Sequence, residues 1–101
     1  MKLIVITCLK EYLEDISGIF KQVNINIFST CDITGYKLTA PLHLLENWFA
    51  SGGEEADSIM IFSFTDEANA SQGMDLIKDY NKSLTVRFPI RVFVLPVEKF
   101  I

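Results

Sequence analysis

The sequence predicts an α+β chain: a four-stranded antiparallel sheet with two helices on one face, in the order βαββαβ. Three observations carry this. Two continuous apolar runs, "KLIVITCL" at 2–9 and "SIMIFSF" at 58–64, read as central strands. Two segments, 11–22 and 66–81, repeat apolar residues at helical spacing. Two further runs, 23–33 and 88–97, have the signs of edge strands.

The elements follow in chain order. Strand one is rich in β-branched residues, which suit a pleated surface. In the first helix Leu13, Ile16, Phe20 and Val23 form one apolar stripe, and Glu11, Glu14 and Asp15 favour its N-terminal end through the helix dipole. In "VNINIFSTCDI" Val23, Ile25, Ile27, Cys31 and Ile33 alternate with Asn24, Asn26, Thr30 and Asp32. That pattern predicts a half-exposed strand over 23–33, which "TGYK" then leaves. After strand three, Thr65 is the expected helix cap, followed by Asp66 and Glu67. The second helix carries Ala70, Met74 and Ile77, and ends near Tyr80 or Asn81. Gly73 within it costs about 1 kcal/mol relative to alanine, so this helix must lean on packing. Pro89 and Pro96 place strand four at an edge or give it irregular ends. The whole is a ferredoxin-like split βαβ arrangement.

Composition bounds the function. The chain has 101 residues, half of them apolar and 22% charged, which suits one domain over 1–101. No apolar run approaches the roughly 20 residues of a spanning helix. The apolar start runs into acidic residues with no small-residue cleavage site, so no leader peptide is expected and the cytoplasm is the expected location. Cys8 and Cys31 are read as buried reduced thiols, not as a disulfide framework. Net charge is −4, and no Lys or Arg lies between Lys37 and Lys78. Glu46, Glu54, Glu55, Asp57, Asp66, Glu67 and Asp75 fill that window. Nucleic acid needs a basic footprint and is excluded as a partner; a basic surface fits better.

The strands also speak about assembly. In strand one Leu3 and Val5 oppose Ile4, Ile6 and Cys8. In strand three Met60, Phe62 and Phe64 oppose Ile59 and Ile61. In strand four Phe93, Leu95 and Val97 oppose Ile90, Val92 and Val94. Two helices cover one face only, and the other is also apolar, so another copy of the chain is the expected cover. The alternative cover is segment 38–56 folding back.

That segment is a long excursion between strands two and three. Thr39, Pro41 and Gly52 mark the cap, first turn and stop of a short helix. Leu42, Leu45, Trp48 and Phe49 would line one face, with Gly52 and Gly53 as a hinge and Glu54 and Glu55 as an acidic tip. Tryptophan is enriched at binding hot spots, so Leu45, Trp48, Phe49, Glu54 and Glu55 are the candidate partner-binding residues.

Catalytic signals are poor. His43 is the only histidine, there is no CxxC or HxxxH spacing, and His43 with Glu46 or Glu54 is the one metal candidate. No phosphate-binding loop motif and no Ser-His-Asp set is present, so an enzyme is not predicted.

"KLIVITCL", helix 11–22, "TGYKL", the long excursion, "ADSIMIFSFTDEANASQGMDLIKDY" and "RVFVLPVEKF" together resemble the PII-like signalling proteins, relatives of the nitrogen regulatory protein PII. The resemblance spans almost the whole chain and is one of topology and length. It implies a homotrimer whose sheets line a central core. It implies that 38–56 stands in the place of the T-loop, which contacts a regulated target such as a membrane transporter. "VLPVEKF" is similar to PII-like proteins that occur beside heavy-metal efflux pumps. The resemblance also implies an intersubunit site for an adenine nucleotide. Gly35, Tyr36 and Lys37 match the T-loop base loosely, and Arg87 and Arg91 are the nearby cations. The loop "NKSLTVRF" lacks the family's glycine, and the family's extended C-terminal part is not matched. Two alternatives stay open. One is a sensor of a small ligand or metal with a PII-like or ACT-like pocket between subunits. The other is an oligomerisation domain without a ligand.

Overall fold

A computed structural model describes residues 1–35, 58–84 and 89–101. Strand β1 spans Lys2–Leu9, helix α1 Leu13–Gln22, strand β2 Ser29–Ile33, strand β3 Ser58–Thr65, helix α2 Glu67–Ser83 and strand β4 Arg91–Pro96. A 3-10 turn over Lys10–Tyr12 leads into α1. The strands make one antiparallel sheet in the order β2-β3-β1-β4. The chain therefore has the ferredoxin-like βαββαβ fold. The two continuous apolar runs are the central strands, and the two mixed runs are the edges.

The core lies between the sheet and the helices. Ile4, Ile6, Cys8, Ile59 and Ile61 supply the sheet side, and Ile16, Phe20 and Ile77 the helix side; all are fully buried. Gly73 brings α2 close to the sheet. A β-carbon there would stand 3.6 Å from Val23 Cγ2, 3.7 Å from Ile4 Cδ1 and 3.8 Å from Ile25 Cδ1. Tyr12 and Tyr80 meet edge to face at 6.3 Å, and the Tyr80 hydroxyl donates to the Asp15 carboxylate, tying α1 to α2.

Three expectations need correction. The strand expected over 23–33 begins only at Ser29. Residues 23–25 instead close α1. Ile25 N–H donates to Phe20 O at 2.9 Å and Asn24 N–H to Lys21 O at 3.4 Å, with Asn24 in the left-handed region at φ 60°. This is a Schellman closure with asparagine in the usual glycine position. Val23 and Ile25 alternate because the closure turns both into the core, where each is 3% exposed. The cap of α2 is Asp66, not Thr65. Its Oδ1 accepts Asn69 N–H at 2.7 Å, while Thr65 remains in the ladder opposite Lys2. Cys8 is buried but Cys31 is exposed, because β2 is an edge strand and the side chain lies on the sheet face away from the helices. Strand β4 starts at Arg91, beyond Pro89, and ends at Pro96 on the free edge where a missing N–H costs no ladder bond.

Candidate functional site

Among the described residues, the sheet face away from the helices is apolar and is exposed mainly at its Leu3 end, while Val5, Thr7 and Ser58 on the same face are buried. Register sets its rows. Leu3 pairs with Phe64 on one side and Leu95 on the other; Val5 pairs with Phe62 and Phe93; Thr7 pairs with Met60 and Arg91. Beyond Met60 lies Cys31, and beyond Phe62 lies Ser29. Aromatic and aliphatic residues fill the first two rows on β3, β1 and β4, Ser29 ends the second row on β2, and the third row turns polar. Phe64 is 57% and Leu95 43% exposed, while Leu3, Phe62 and Phe93 are half-buried. Every strand contributes an apolar residue to both faces except β2, so the face opposite the helices has the composition of an interior.

The polar end of this face is where β2 leaves the sheet and β4 joins it. Gly35 is buried there, and Arg91 is half-buried at the first position of β4. The two stand at opposite edges of the sheet. With neighbouring strands about 4.8 Å apart, β2 and β4 lie about 14 Å from each other, so one chain does not bring Gly35 and Arg91 together. The other expected residues fall outside the described ones. These are Tyr36, Lys37 and Arg87 of the ligand set, Leu45, Trp48, Phe49, Glu54 and Glu55 of the partner set, and the metal candidate His43.

Two residues of this end escaped the sequence reading. Ser58 is 5% exposed, and its hydroxyl has no hydrogen-bond partner. Nothing in "ADSIMIF" distinguishes it from an ordinary strand residue. Asn81, near the end of α2, clamps the start of β4. Its Nδ2 donates to Ile90 O at 2.8 Å and its Oδ1 accepts Ile90 N–H at 2.9 Å. An asparagine near a helix end is a visible signal for such backbone capture.

The titratable groups that shift are structural. Burial pushes the Cys8 thiol up to about 12. The hydrogen bond to Asp15, then burial, pushes the Tyr80 phenol up to about 12. Burial, with Glu11 adding a smaller share, raises Tyr12. A cysteine held protonated in this way is no nucleophile at neutral pH. Among the described residues, no three His, Cys, Asp or Glu side chains cluster to hold a metal ion. None of the described helices is long and apolar enough to cross a membrane.

The fold and this face define a split βαβ sheet with helices on one side and an apolar face on the other, exposed at Phe64 and Leu95. A solved structure with this fold is that of a protein from Thermus thermophilus, assigned provisionally as a PII-like signaling protein. It matches 92% of this chain and 80% of its own length, with a TM-score of 0.58 and 11% sequence identity. The likeness is thus one of fold. No family model matches the chain, and no curated protein does.

Proposed function

We propose that this chain is a non-enzymatic PII-like regulator, a single domain over residues 1–101 that acts in the cytoplasm as a homotrimer. The observation that carries the reading is the apolar sheet face of Leu3, Val5, Phe62, Phe64, Phe93 and Leu95, on a fold shared with a PII-like signaling protein. In a trimer these faces turn inward and leave water. Segment 38–56 then contacts the regulated partner. Leu45, Trp48 and Phe49 anchor a partner protein, and Glu54 and Glu55 meet its basic residues. A membrane transporter or efflux pump is the candidate partner, since cytoplasmic loops of such proteins carry excess Lys and Arg. A pull-down comparing the wild type with a Trp48→Ala, Phe49→Ala variant tests this. Loss of the captured protein supports the reading, and unchanged capture contradicts it.

A second reading is favoured by the placement of Gly35 and Arg91 at one end of the sheet but on opposite edges. Where the β2 edge of one copy meets the β4 edge of the next, Gly35 of one chain would come near Arg91 of another, and Tyr36, Lys37 and Arg87 complete the expected ligand set. Such a cleft suits an anion, with an adenine nucleotide as the candidate. Calorimetry with nucleotides, amino acids and divalent metals tests it: saturable heat supports a sensor, and silence across the panel refutes it.

A further inference from the structure

Strand β4 runs along a free edge. It has β1 on one side and, among the described residues, no strand on the other. Its first residue, Arg91, pairs with Thr7 at the end of that ladder. Pro89, two residues earlier, has no N–H to offer a partner. A strand end of this kind frays unless something beyond the ladder holds it. Asn81 supplies the hold. It lies in the last turn of α2, and its side-chain amide engages both backbone groups of Ile90. Nδ2 donates to Ile90 O at 2.8 Å, and Oδ1 accepts Ile90 N–H at 2.9 Å. A side chain thus gives Ile90 the pair of bonds a neighbouring strand would give.

The bond to Ile90 O reaches one residue further. That carbonyl belongs to the planar peptide group that joins Ile90 to Arg91, so fixing it fixes the course of the chain into Arg91. Ile90 is buried in the core at 2% exposure. Its successor therefore turns to the face without helices, across from Thr7, where Arg91 is half-buried. A guanidinium meets two oxygens of an anion at once only in a fitting orientation. Held at its backbone, it also gives up less freedom when the anion arrives. Loosening Ile90 would weaken anion binding while leaving every charge in place.

We propose that Asn81 is a positioning residue. By holding Ile90 it aims Arg91, and so sets how tightly the cleft between the β2 edge of one copy and the β4 edge of the next takes an oxyanion. This rests on the sensor reading above, with an adenine nucleotide as the ligand, and adds the residue on which its cation depends.

Calorimetry with ATP compares the wild type, Asn81→Ala, Arg91→Ala and the double variant, with circular dichroism checking that each keeps its fold. Asn81→Ala should weaken ATP binding about fivefold to tenfold, and the double variant should bind no more weakly than Arg91→Ala alone. Hydrogen exchange on the unaltered wild type gives a second readout that needs no variant to fold. If the clamp favours ATP, ATP favours the clamp by the same factor, so the Ile90 amide should exchange about fivefold to tenfold more slowly with ATP bound. A clamp that only braces the fold would leave that rate unmoved. Independent losses in the double variant, or an Ile90 amide indifferent to ATP, overturn the positioning role and leave the sensor reading standing. A wild type that gives no heat with ATP overturns this inference together with the nucleotide candidate.

Discussion

Replacing each helical glycine by alanine separates propensity from packing in this fold. Gly18 is exposed on α1, and an added β-carbon meets nothing within 4 Å. Gly18→Ala therefore gains only helix propensity, about 1 kcal/mol. Gly73 is buried on α2, and its β-carbon would meet Val23, Ile4 and Ile25 at 3.6–3.8 Å, ordinary van der Waals distances. Gly73→Ala gains the same propensity and part of the roughly 0.8 kcal/mol that one buried methyl contributes. The expected stabilisation is about 1–2 kcal/mol. Gly73→Val adds two more methyl groups to a space already at contact, and should cost about 1–3 kcal/mol through overpacking. Urea unfolding at one fixed protein concentration reads all three. With a slope of about 2 kcal/mol per molar, both alanine variants should raise the midpoint by about 0.5 M or more, and valine should lower it. A lower midpoint for Gly73→Ala beside a raised one for Gly18→Ala would refute the reasoning. The helix would then sit closer to the sheet than these contacts allow.

Ser58→Ala removes a buried hydroxyl without a partner and should stabilise the chain by about 1 kcal/mol; a loss in thermal unfolding would mean that Ser58 finds a partner on assembly. Asn81→Ala breaks both bonds to Ile90 and should cost about 1–3 kcal/mol, read by the same melts, with no change meaning that the clamp is idle. Iodoacetamide should label one thiol, Cys31, in the folded protein and two in urea; mass spectrometry showing Cys8 labelled natively would contradict its burial. The folded Cys8 and Tyr80 hold their protons to about 12, against ordinary values of 9.0 and 10.0. The unfolded chain releases these protons first, so stability is full below about pH 9 and falls from there toward 12. A Cys8→Val, Tyr80→Phe variant should show a flatter alkaline decline, and an equally steep one would refute the assignment.

The central strands were legible because 2–9 and 58–64 are apolar on both sides, a signature of strands buried on two faces. The same residues foretold that the face without helices is apolar, since alternation alone assigns Leu3, Phe62 and Phe93 to it. The stretch 23–28 misled because two alternating positions, Val23 and Ile25, are produced as well by a helix closure as by a strand. Asn24, a residue tolerant of the left-handed region, was the signal that separates them. Cys31 misled because apolar neighbours in sequence do not bury a residue on an edge strand. The Asp66 cap differed by one position, as Thr65 is held in the β-ladder. Of the expected ligand set, only Gly35 and Arg91 fall among the described residues. Gly35 and Arg91 lie at the same end of the sheet, but their separation follows from strand order, which no local pattern encodes. Ser58 carried no signal at all, because an orphan hydroxyl is defined by what surrounds it.

The account stands on the sheet face of Leu3, Val5, Phe62, Phe64, Phe93 and Leu95 being covered by other copies of the chain. Sedimentation equilibrium of the wild type, beside a Phe93→Glu variant that places a charge on that face, measures this directly. The account predicts a mass of three chains for the wild type and a shift toward single, folded chains for the variant. A wild type that remains one chain at high concentration, or a variant that assembles as well as the wild type, would contradict it.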